Sequence, residues 1–139
     1  MSGFANRGPQ DAGGVSSYAP GPQLFDPTIA ASGGGRTTQD GITARAGGGR
    51  PNAMPLTGAV GRITTCATAA DSVALPPARG GHTLTVLNSG ASAAQVFAAV
   101  GTSDTINGVA AATGVSLPAA KSATFWSPAV GVWFWNLSA

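Results

Sequence analysis

Two patterns of apolar spacing meet near Gly58. After it come seven short β candidates, 60–67, 71–75, 82–88, 94–100, 115–117, 122–127 and 130–137, of which 71–75, 82–88, 115–117 and 122–127 alternate apolar with polar residues. Within 82–88, Leu84 and Val86 alternate with Thr83, Thr85 and Leu87, and the run stops at Asn88, Ser89 and Gly90. A period of two is that of a strand with one buried and one wet face. Such runs, about ten residues apart with turn residues between them, mark a sandwich or small barrel. The predicted fold is therefore all-β, a small antiparallel β-sandwich (jelly-roll-like) over residues 59–139.

Before Gly58 neither a helical nor a strand period holds. Turn formers recur, among them Gly8-Pro9, Gly13-Gly14, Pro20-Gly21-Pro22, Asp26-Pro27, Pro51 and Pro55, and large apolar residues stand alone. Such a segment cannot bury enough apolar surface by itself to offset its ordering entropy. Residues 1–58 are expected to be a long extended, largely irregular N-terminal arm. Either it stays unfolded, or it orders when laid across a partner. A pure linker would be little more than Ser and Gly, whereas this one keeps spaced aromatics and aliphatics. Phe4, Tyr18, Leu24, Phe25 and Ile29 are the candidate partner-binding anchors. Fully extended at ~3.3 Å per residue, the arm would reach well over ~100 Å. Gly-Gly-Gly-Arg occurs at 33–36 and again at 47–50, but no Gly-Lys-Ser/Thr follows either copy, so neither is a P-loop.

Composition strengthens the β assignment. Charged residues make up 9% of the 139 residues and glutamate is absent, which leaves little to clothe the wet face of a helix. The 21 glycines and 10 prolines favour turns and extended backbone. The net charge of +2 comes from scattered arginines and one lysine, without the clustering that phosphate-backbone binding needs. No nucleic-acid partner is expected. The single cysteine excludes an intrachain disulfide. The start lacks a signal-peptide pattern, and the longest apolar stretch is far short of the ~20 residues that span a bilayer. The chain is expected to be made in the cytoplasm, with no membrane partner.

Catalytic constellations are sparse. The five aspartates, Asp11, Asp26, Asp40, Asp71 and Asp104, are well separated, so a paired-carboxylate site is not expected. Cys66 and His82 would form a dyad only if their strands brought them together and a third group oriented the imidazole. A buried strand cysteine and a strand-start histidine are the simpler assignments. No metal-ligand spacing is present. Catalytic, cofactor-binding and metal residues are therefore all expected to be none, and the protein is expected not to be an enzyme. Asn107-Gly108 suits a tight turn with positive φ, with Ile106 plugging the core beside it. Trp133, Phe134 and Trp135 place aromatics on both faces of one strand. Trp133 and Trp135 are the candidates for the core or a trimer seam, and the opposite face needs cover from a loop, the arm or a neighbouring subunit.

Several of these strings, in order, carry a resemblance. They are Arg62-Ile63-Thr64-Thr65, Asp71-Ser72-Val73-Ala74-Leu75-Pro76, Leu84 to Gly90, Gln95-Val96-Phe97, Asp104 to Gly108, and a closing Phe125 and Trp133. Residues 59–139 resemble β-sandwich domains of tailed-phage virion proteins, especially capsid decoration (cement) and head-fibre proteins. The resemblance implies a homotrimer on the outer capsid surface, assembled in the host cytoplasm, with extended arms gripping the major capsid protein and no active site. A tail or head-fibre module that binds a host-surface receptor or glycan is the alternative.

Overall fold

Alternating hydrophobicity places the strands, but it does not say how successive strands are joined. A computed structural model describes residues 37–139, and there the chain passes back and forth between two sheets. The strands are β1 (Thr38–Thr43), β2 (Met54–Pro55), β3 (Val60–Thr65), β4 (Ser72–Ala74), β5 (His82–Asn88) and β6 (Ala94–Phe97). They continue with β7 (Thr105–Ile106), β8 (Val115–Leu117), β9 (Lys121–Ala129) and β10 (Val132–Leu137). A single 3-10 turn, Arg50–Asn52, precedes β2. The six-stranded sheet has the order β1-β3-β5-β9-β10-β7, and the four-stranded sheet the order β2-β4-β6-β8.

Up to β6 the chain visits the two sheets in turn. Each return lands one strand over and runs in the same direction, so β1, β3 and β5 are parallel, as are β2, β4 and β6. A parallel pair needs a long crossover. Here the strand in the other sheet, with its two corners, is that crossover, which gives a solenoid-like stack. Thr38, Val60 and Thr85 stand in register in one sheet, and Met54, Val73 and Val96 in the other. The last part of the chain reverses: β8 lies antiparallel to β6, β9 to β5, and β10 to β9. The all-β expectation holds. The antiparallel, jelly-roll-like arrangement does not describe these sheets, in which five pairings are parallel and three antiparallel.

The expected boundary at residue 58 also moves. Residues 38–43, counted with the arm, form the edge strand β1, which pairs with β3. Ile42 fills the core at 4% exposure, and Leu56 and Ala44 are buried beside it. A six-residue strand with one buried apolar side chain is too brief for its period to show in the sequence. The register of β1 shifts between Gln39 and Ile42, where Gly41 takes a φ of +72°. That bulge, with the exposed bidentate Asp40–Arg62 pair at 2.7 and 2.8 Å, makes β1 a poor template for edge-to-edge pairing. The Arg62 guanidinium holds the Asp40 carboxyl down at about 2.

Both sheets feed one core. Ile63, Leu84, Val86, Ala123, Phe125 and Trp133 come from the larger sheet, and Val73, Val96 and Leu117 from the smaller. The corners between coils are closed by polar groups. Asp71 caps its loop through the Ala67 and Thr68 amides and the Thr68 hydroxyl. These bonds, the Thr68 hydroxyl foremost, lower its pKa. Asn88 donates to the carbonyls of Ser92 and Leu117 and accepts from the Gly90 amide. Gly90 has no room for a Cβ, which would lie 2.7 Å from the Cys66 amide nitrogen. Asn107-Gly108 forms the expected tight turn, with φ of 52° and 73°, and Ile106 is buried beside it.

Candidate functional site

Two surfaces carry side chains that folding leaves unused. The first is the outer face of the six-stranded sheet. Along β9, Ala123, Phe125 and Ser127 turn inward and are buried, so Thr124 and Trp126 turn outward. Along β10, Trp133 turns inward and Phe134 outward. Trp126 and Phe134 are direct register partners, so two large aromatics stand side by side, 42% and 48% exposed. The next row on that face is Val60, Thr85, Thr124 and Asn136, without a charge. Farther along, Leu87 lies beside Arg62 and, with Thr38, Asp40 and Val60, lines a shallow cleft of about 270 Å³. Pro128 ends the regular part of β9. Without an N–H it cannot serve the ladder, and the register with β10 shifts between Trp126 and Ala129.

The second surface is a cleft of about 460 Å³ where the chain enters β5, lined by Pro76, Pro77, Arg79, Gly80, Gly81 and His82. The His82 ring packs on Trp133 with centroids 5.5 Å apart. The Trp133 indole N–H donates to the Pro76 carbonyl at 3.3 Å.

The two seam candidates divide between roles. Trp133 is fully buried and meets Phe125 edge to face, with centroids 6.5 Å apart, so it is a core residue. Trp135 is half-buried and stacks on Phe125 at 5.8 Å from the same inner side. The exposed aromatics are their neighbours Trp126 and Phe134. The inward alternation of Ala123 and Phe125 already implied that Trp126 faces out. The pairing of Trp126 with Phe134 needed the hairpin register. The anchors Phe4, Tyr18, Leu24, Phe25 and Ile29 lie outside the described residues.

Cys66 and His82 are kept apart. Cys66 lies against Gly90, just beyond the Asn88 end of β5, and His82 begins that strand. At ~3.3 Å per residue the strand separates them by roughly 20 Å. The buried Cys66 thiol donates to the carbonyls of Thr68 and Ala93 at 3.4 Å. Burial pushes its pKa up, and the Asp71 charge adds to this. Such a thiol is a weak nucleophile. Among the described residues no three His, Cys, Asp or Glu side chains gather as metal ligands. Nor is any helix there long and apolar enough to cross a membrane.

No protein-family model, curated protein or solved structure matches this chain.

Proposed function

We propose that this protein is a structural component of a tailed-phage virion: a capsid decoration (cement) protein whose folded body sits on the outer surface of the shell. The observation that carries this reading is the exposed Trp126–Phe134 pair, set next to the uncharged row of Val60, Thr85, Thr124 and Asn136 on the outer sheet face. Exposed aromatics grouped in a row without charge suit contact with another protein rather than chemistry. In this reading the face meets a second copy in a homotrimer, taking the seam role assigned from sequence to Trp133 and Trp135. The two sheets do the work of the jelly-roll-like sandwich in such proteins. The segment before the folded body is the arm, with Phe4, Tyr18, Leu24, Phe25 and Ile29 gripping the major capsid protein. Many weak anchors repeated on three chains give avidity that no single contact supplies.

The test adds full-length protein to shells assembled without it and reads cosedimentation and the shell melting temperature. Serine at the five anchor positions should abolish shell binding and leave the trimer intact. Serine at Trp126 and Phe134 should yield monomers in sedimentation velocity. Failure of the unaltered protein to bind shells would end this reading. A fibre module that binds a host-surface receptor or glycan is the second reading, favoured by the cleft at His82.

A further inference from the structure

The loop from Pro76 to His82 is held more firmly than a passive connection requires. The Ala78 amide donates to the buried Asp104 carboxylate at 2.8 Å, and the Gly131 amide to the Ala78 carbonyl. The Gly81 amide donates to the Ser127 carbonyl at 2.8 Å. The His82 amide closes a tight turn onto the Arg79 carbonyl at 3.0 Å, with Gly81 at a φ of +86°. At the other end Trp133 holds the Pro76 carbonyl. The walls of this open cleft, of about 460 Å³, are therefore held in place before any ligand arrives.

Its side-chain polar groups are donors. The Arg79 guanidinium makes no hydrogen bond or ion pair with any described residue, whose one ion pair is Arg62–Asp40. His82 Nδ1 is buried without a hydrogen-bond partner. The other ring nitrogen, Nε2, is not buried and is the one open to a ligand. No carboxylate lines the cleft, because Asp104 lies behind Ala78 and is engaged by its amide. Two adjacent prolines form an apolar wall that presents no amide hydrogen.

From this geometry we propose that the Pro76–His82 cleft binds a small carboxylate-bearing ligand, a single acidic sugar residue. The Arg79 guanidinium takes the carboxylate, the His82 Nε2–H donates to it or to an adjacent hydroxyl, and the C–H face of the sugar ring lies on Pro76 and Pro77. A planar guanidinium matches a carboxylate with two parallel hydrogen bonds. The site needs neither the arm nor a shell, so its failure and that of the decoration reading are distinguishable.

The experiment is a titration of the full-length protein with glucuronate, glucose, acetate and sulfate, followed by NMR. The chain has one histidine, so its ring signals report on the site without ambiguity. Glucuronate should shift the His82 ring and the Gly80 and Gly81 amides saturably in the millimolar range, and glucose should leave them unmoved. Arg79→Gln should weaken binding about tenfold, the size expected for one lost charge-assisted contact, without changing signals elsewhere. Equal shifts from acetate and sulfate would overturn the sugar assignment. No shift with any anion, or unchanged glucuronate binding by Arg79→Gln, would overturn the site itself.

Discussion

The parallel coils of β1 to β6 and the antiparallel closing strands β8 to β10 share one core but are held by different means. In the coils the buried side chains are mostly aliphatic or small, Phe97 apart, and much of the cohesion lies at the corners, where Asp71, Asn88 and the Cβ-free Gly90 fit one turn against the next. In the closing strands the core is aromatic: Phe125 stacks on Trp135 and meets Trp133 edge to face, with His82 leaning on Trp133. Stacked coils repeat similar contacts, so each residue contributes modestly. The end of a stack has to be sealed, and large rings seal it with few residues.

If that contrast holds, the largest single loss falls in the closing region. Trp133→Ala should cost about 3–5 kcal/mol in urea denaturation, as removal of a fully buried aromatic does. At a coil corner, Asn88→Ala strands two carbonyls and one amide and should cost about 1–3 kcal/mol. A larger loss at Asn88 than at Trp133 would break the comparison. Ala120 has a φ of +63° in the turn that leads into β9, a conformation glycine adopts without strain. Ala120→Gly should therefore stabilise the protein by about 1 kcal/mol, read as a raised Tm.

The Asp71 carboxyl is held below its ordinary range. Its contribution is thus present above the unfolded carboxylate pKa of about 4 and is lost as pH falls through the lower folded value. Asp71→Asn should be less stable than the unaltered protein at pH 7, and the gap should narrow steadily below about pH 4. The smallest effect is expected on the outer face. Serine at Trp126 and Phe134 should change monomer stability by no more than about 0.5 kcal/mol. A large loss there would make the pair part of the fold rather than a contact surface.

Much of the fold was legible where one residue type answers one local demand. Leu84, Val86 and Phe125 alternate inward, Ile106 enters the core, and Asn107-Gly108 turns with positive φ. The edge strand β1 was missed because only Ile42 marks its buried face amid glycine and polar residues. Strand direction was missed because alternation is the same in parallel and antiparallel sheets. The cleft at His82 was missed because its lining, although contiguous, takes its shape from Asp104, Ser127 and Trp133, which hold the loop from distant points in the chain.

By itself, the sequence determined the all-β class, the inward faces of the later strands and the scarcity of catalytic groups, because period, turn chemistry and composition are local properties. Only the tertiary structure decided that strands alternate between two sheets, that Trp126 stands beside Phe134, and that the loop carrying Arg79 and His82 is pinned into a cleft by Asp104, Ser127 and Trp133. Those depend on register and crossover, which are set by how the whole chain packs one core.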